Sequence, residues 1–178
     1  MEPQTELPES LDTQLREFEM RLMLMETLSA VSGTILSILV GPIILYELGA
    51  EVVAVHSPAA MEPCQALVLP GVGAFDPAME RLHQSGLVPA IERWCGADRP
   101  LLGICLGLQL LFDSSDEGSA RGLGLIAGHV AALPRHPGLP IPHMGWEPLL
   151  PANPSPLLPA GSPESWVYFV HSYAAEPS

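Results

Sequence analysis

The segment LLGICLGLQLLF, residues 101–112, constrains the fold more than any other part of the chain. Its first half is a short apolar run of the kind buried in parallel sheets, and LGLQLLFDSS after it reads as a helix. Between them stands Gly103-Ile104-Cys105-Leu106-Gly107, a G-x-C-x-G sequence. This is a nucleophile elbow written with cysteine in place of serine. A nucleophile there occupies a strained turn, and side chains at the flanking positions would strike neighbouring backbone, which the glycines avoid. The turn lifts the sulfur above the sheet edge to a helix N-terminus, where aligned N–H groups favour a thiolate. Such a thiolate attacks a carboxamide carbon, forms a thioester and releases ammonia. A buried, inert thiol is the competing reading of Cys105. A packed thiol has no need of flanking glycines, and Cys64 and Cys95, which lack them, are read as structural.

The rest of the chain supports an α/β sheet. EVVAV, residues 51–55, and ALVLP, residues 66–70, read as short strands, the second followed by the glycine-rich loop GVGAF. DPAMERLHQSGLVPAIERW reads as helical pieces around Gly86, with Asp76 as N-cap and Pro77 at the first helical position. Strand, helix, strand, helix in that order implies parallel strands. Later, GLGLIAGHVAAL suggests a turn and a strand, and SWVYFVHSYA, aromatic and β-branched, a late strand. Prolines crowd between Pro134 and Pro163, so an irregular region is expected there. Near the start, LDTQLREFEMRLMLMETL places Leu15, Phe18, Leu22 and Met25 at helical spacing, as in a surface or partner-facing helix.

Charge and cysteine usage narrow the function classes. The formal net charge is −13 and every basic residue is arginine, a balance that repels phosphate backbones and argues against nucleic-acid binding. Three cysteines at irregular spacing form neither a disulfide framework nor a zinc site, so a reducing cytoplasm is expected, with no metal. The acidic N-terminus is unlike a signal peptide. Residues 27–46 carry no charge and are long enough to span a bilayer. Their serines, and the split at Gly41-Pro42, favour a buried strand and helix over a membrane span.

The elbow and three further segments resemble one family. GICLGLQLLF is similar to the elbow of class I glutamine amidotransferases, which implies that Cys105 is the nucleophile and that Gln109 contacts the bound substrate amide. LVLPGVGAFDPAM resembles the oxyanion loop of that family, which implies that Gly71, Val72 and Gly73 present backbone N–H groups to the tetrahedral intermediate. PHMGWE and YFVHSY, residues 142–147 and 168–173, resemble segments of the glutaminase subunit of imidazole glycerol phosphate synthase, with Glu147 where that subunit has asparagine. The resemblance implies that the backbone at His171, Ser172 and Tyr173 holds glutamine. It also implies that His143, Met144, Gly145, Trp146 and Tyr168 lie at the partner interface and ammonia exit. By the same resemblance the fold is three-layered with a mainly parallel central sheet. No cofactor is implied. The partner is a cyclase (β/α)8-barrel subunit that takes ammonia in histidine biosynthesis, as one half of a heterodimer.

The pattern is incomplete at both ends. The family draws its base and the group orienting it from a late His-x-Glu, and no His-x-Glu occurs in this sequence. The opening loop of the family, D-Y-G-x-G-N, is not found either, so residues 1–48 read as an atypical segment and 49–178 as a truncated amidotransferase domain. Loss of the base implies hydrolysis slowed by orders of magnitude. Three alternatives therefore stand beside the glutaminase: a partner-binding subunit without turnover, another cysteine hydrolase on the same scaffold, and a membrane-tethered variant using residues 27–46.

Overall fold

The structure, a computed structural model, describes residues 21–24, 49–151, 153 and 166–178. Its centre is a sheet of four parallel strands in the order β2-β1-β3-β4. These strands are β1 (Arg21–Leu24), β2 (Glu51–Ala54), β3 (Ala66–Gly71) and β4 (Leu101–Cys105). Parallel neighbours require crossovers, and three helices provide them: α1 (Pro58–Met61) before β3, then α2 (Phe75–Gln84) and α3 (Val88–Gly96) before β4. Phe75, Ala78, Met79 and Leu82 recur at helical spacing and form the buried face of α2. With Leu69 of β3 and Ile91 of α3 they belong to a single core cluster. Each large side chain buried there contributes about 1.5–3 kcal/mol. Gly86, at φ +70°, makes the break between the two helices where the sequence suggested one.

Two smaller sheets follow. β5 (Ser114–Ser115) pairs in parallel with β6 (Gly128–Ala132), which pairs antiparallel with β9 (Tyr173–Pro177). β7 (His143–Pro148) and β8 (Trp166–His171) form an antiparallel ribbon. The late strand SWVYFVHSYA is thus two strands that part at Ser172, and β7 interrupts the proline-rich region expected to be irregular. Of the three layers expected, the described residues supply the central sheet and helices that share its core cluster.

Several local expectations are corrected. Arg21–Leu24, read as part of a helix, is a strand hydrogen-bonded on both sides, to β2 and β3. Leucine and methionine favour helices only weakly, and two flanking ladders outweigh that preference. The rest of that helix and the uncharged stretch 27–46 lie outside the described residues. No helix among the described residues is long and apolar enough to cross a membrane. β4 is not buried on both faces: Leu102 and Ile104, which alternation puts on one face, are each 47% exposed. The helix after the elbow, α4 (Leu106–Gln109), is only four residues long. The chain at 123–126 takes over the carbonyls of Leu110 and Leu111 through the N–H groups of Leu123, Leu125 and Ile126, so the helical ladder cannot continue. Asp76 is not an N-cap; α2 starts two residues earlier, with Ala74 in that role, and Pro77 is its third residue.

Candidate active site

Cys105 closes β4 and caps α4 at φ +55° and ψ −122°, a combination that side-chain-bearing residues avoid. Holding it costs on the order of 1–3 kcal/mol, which the surrounding packing must outweigh. The two flanking glycines permit the turn. A Cβ on Gly103 would stand 2.6 Å from Leu108 Cα, and one on Gly107 would run into the Leu69 carbonyl oxygen of β3. The strand, the turn and the helix are therefore packed backbone against backbone, and the Cys105 side is left exposed. Since α4 has only four residues, the backbone dipole at Cys105 is that of little more than one turn. The other two thiols differ: Cys64 is buried with its Sγ 3.6 Å from the Ala60 carbonyl, and burial pushes the Cys95 thiol up.

Cys105 opens into a cavity of about 520 Å3. Val72 and Gly73 form one part of its wall and His171, Ser172 and Tyr173 another. Gln109 lies one turn along from Cys105, and its amide Nε2 donates to the Tyr173 carbonyl at 3.3 Å. His171 Nδ1 donates to the same carbonyl at 3.0 Å, which ties the β8–β9 junction to the elbow helix. Gly71 is set apart from its two neighbours. It pairs with Cys105 in the ladder, and a Cβ on it would stand 2.8 Å from Gly107 N, so it packs behind the elbow rather than lining the cavity.

The sequence reading missed Glu117, which puts a carboxylate on the cavity wall. Its Oε2 accepts the Phe75 N–H at 2.9 Å and so satisfies a donor at the start of α2 that has no partner within its helix. The only signal in the sequence is an acidic pair followed by glycine, Asp116-Glu117-Gly118, which reads as a turn. Among the described residues no group of three His, Cys, Asp or Glu side chains is arranged to hold a metal ion.

The five residues expected at the partner interface fall on two faces of the β7–β8 ribbon. Met144 pairs with Val170, Trp146 with Tyr168 and Pro148 with Trp166, so these six share one face. That face is apolar and open: Met144 is 59% exposed, Trp146 64% and Tyr168 52%. Trp146 and Tyr168 meet edge to face at 5.6 Å. His143 and Gly145 lie on the other face, where His143 packs edge-on against His171 at 5.5 Å and reaches Glu147 at 3.8 Å.

The family model of glutamine amidotransferase class-I matches residues 42–178. Imidazole glycerol phosphate synthase subunit HisH 2 of Prochlorococcus marinus (strain MIT 9313) is 62% identical over 124 residues, covering 70% of this chain and 58% of the relative. Its counterpart from Parasynechococcus marenigrum (strain WH8102) is 59% identical over 130 residues, covering 73% of this chain and 61% of the relative. The chain thus spans less than two thirds of the length of either. Among solved structures, a glutamine amidotransferase superposes with a TM-score of 0.63 at 16% identity, covering 84% of this chain and 70% of that one. A putative peptidase E protein from Listeria monocytogenes EGD-e superposes with a TM-score of 0.53 at 15% identity, covering 66% and 69%. Identities this low speak for the fold alone.

Proposed function

The chain belongs to the class I glutamine amidotransferase family, and from that premise we propose that it is the glutaminase subunit of an imidazole glycerol phosphate synthase, acting in histidine biosynthesis in the cytoplasm. The observation that carries the proposal is the strained Cys105 elbow opening on a cavity walled by Gln109, Glu117 and the His171–Tyr173 backbone. Glutamine fits the chemistry of that wall. Its α-ammonium faces the Glu117 carboxylate, and its carboxamide lies between Gln109 and Cys105. Attack of the Cys105 sulfur on the carboxamide carbon gives a tetrahedral oxyanion, which the N–H groups of Val72 and Gly73 receive. The C–N bond then breaks, the amide nitrogen leaves as ammonia with the proton that the Cys105 thiol gives up, and water hydrolyses the thioester to glutamate and the free thiol. The open face of Met144, Trp146 and Tyr168 is the docking surface for the cyclase barrel that consumes the ammonia. Residues 49–178 are the amidotransferase domain.

Proton transfer in such a reaction needs a base held by a second group, and the sequence contains no His-x-Glu pair. Polypeptide of this sequence is therefore expected to bind glutamine and form adducts at Cys105 while turning over slowly. The open apolar face of Met144, Trp146 and Tyr168 favours a second reading, in which the chain serves mainly as a partner-binding subunit. The test has two arms. A diazoketone analogue of glutamine should label Cys105 and no other cysteine, and Cys105→Ser should abolish the labelling. Ammonia release from glutamine, measured with and without the barrel subunit, should stay orders of magnitude below that of a relative carrying the His-x-Glu pair. Folded protein that resists labelling refutes glutamine recognition. Capture of the barrel without labelling leaves the partner-binding reading in its place.

A further inference from the structure

Resting on the glutamine reading above, we infer that Asp76 is a positioning residue for the cavity, holding the Ser119–Ala120 backbone so that Glu117 faces the substrate ammonium. Asp76 lies outside the cavity, yet its carboxylate takes the Ala120 N–H on Oδ1 and the Ser119 N–H on Oδ2, each at 2.9 Å. The Ser119 hydroxyl adds a longer contact to Oδ2 at 3.4 Å. The neighbouring Phe75 N–H is returned to Glu117 at 2.9 Å, so the first turn of α2 and the 117–120 loop clasp each other reciprocally. Gly118 sits inside the clasp, and a Cβ there would run into the Asp76 carboxylate.

The other end of the loop is fixed as well. Asp116 donates its N–H to the Val130 carbonyl at 2.9 Å, and its Oδ2 takes the Ala132 N–H at 2.9 Å. Its Oδ1 meets His129 Nε2 at 2.8 Å, and His129 Nδ1 meets the Ser114 hydroxyl at 2.8 Å. Glu117 is thus carried between two anchors, one on β6 and one on α2. With the β6 anchor intact, release of the α2 anchor cannot be absorbed by moving the whole loop. Without Asp76 the Ser119–Ala120 backbone is free, and the Glu117 carboxylate keeps only the Phe75 N–H on α2, so its place in the cavity is less tightly fixed. The N–H groups of Ser119 and Ala120 hold the Asp76 carboxyl below its ordinary range, so the clasp stays charged across neutral pH.

The test separates positioning from general packing by comparing two probes of Cys105. The first is the diazoketone analogue of glutamine, which keeps the α-ammonium; the second is iodoacetamide, which has none. For Asp76→Ala the concentration for half-maximal labelling by the analogue should rise roughly tenfold, as expected for a charged contact moved out of place. The limiting labelling rate and the iodoacetamide rate should stay within about twofold of the parent. Gly118→Ala, which pushes on the clasp from the other side, should do the same. The double variant should be no worse than Asp76→Ala alone, because the alanine removes the carboxylate that the new Cβ would strike. Glu92→Gln, an exposed acid on α3, controls for net charge. Melting curves establish that each variant is folded at the assay temperature. An analogue affinity unchanged in Asp76→Ala overturns the inference, as do equal losses for both probes or fully additive single variants. A parent that the analogue does not label overturns the glutamine reading and this inference with it.

Discussion

The elbow makes a quantitative demand at Gly103. Its φ lies outside the left-handed region, so alanine costs nothing in backbone conformation there and the whole penalty is steric. A Cβ built on it stands 2.6 Å from Leu108 Cα, 2.8 Å from Leu108 N and 3.0 Å from Leu111 Cδ1. Carbon atoms rest about 3.5–4.0 Å apart, so α4 would have to retreat from β4 by about 1 Å. Leu108 presents backbone rather than a flexible side-chain end, and α4 is itself held by Gly107 against β3, so no inexpensive movement is open. Overpacking of this kind costs about 3 kcal/mol, or about 6–12 °C in melting temperature for a chain of this size. Retreat of α4 also unwinds the turn that presents the sulfur. Gly103→Ala should therefore lower the melting temperature by that amount and slow modification of Cys105, read by circular dichroism and by peptide mass spectrometry. Gly96→Ala is the matched control: Gly96 ends α3 with nothing within 4 Å of its would-be Cβ, so alanine there should be neutral or slightly stabilising. If Gly103→Ala melts within about 1 °C of the parent and reacts as fast, the packing account of the elbow is wrong.

Three further outcomes follow from the same coordinates. Cys105→Gly relieves a φ of +55° and should raise stability by about 1 kcal/mol, net of the entropy cost of glycine, while abolishing every adduct; a lower melting temperature would contradict the strain argument. Trp146→Ala should weaken binding of the barrel subunit by roughly 30-fold, as removal of a central aromatic anchor does, without altering labelling of Cys105; unchanged affinity in a titration would remove the ribbon from the interface. The N–H groups of Ser119 and Ala120 hold the Asp76 carboxyl below its ordinary range, and the Ala132 N–H and then His129 hold Asp116 below its own. Depressed carboxyls lend stability above their unfolded value and lose it as pH falls through the folded one, so melting temperature should drop below about pH 4. That drop should be shallower in Asp76→Ala and in Asp116→Ala, and an identical acid limb in both variants would show that neither carboxyl contributes.

Legibility from sequence followed the range of the interactions involved. The β3 strand, the break at Gly86 and the elbow at Gly103–Gly107 were readable because each depends on residues a few positions apart. The glycine pattern could be interpreted in advance since its cause is steric and local, and the structure bears that cause out at both Gly103 and Gly107. Errors arose where distant chain intervened. The sequence suggests a longer α4 because nothing local shows that the irregular stretch from Leu123 to Ile126 captures the carbonyls after it, and it suggests Asp76 as a cap because that residue's partners lie more than forty residues on, at Ser119 and Ala120. Arg21–Leu24 reads as helix in the sequence because its place between β2 and β3 leaves no periodic trace in four residues.

By itself, then, the sequence determined that Cys105 stands on a strained turn between a strand and a helix, and which family such a turn belongs to. Only the tertiary structure decided what that sulfur faces. Glu117 reaches the cavity because α2 and β6 hold its loop from either side, and His143 turns away from Met144 and Trp146 because a ribbon alternates its faces. Backbone sterics act over neighbouring residues and are written in the local sequence, whereas the walls of a cavity are assembled from segments whose meeting depends on the whole fold.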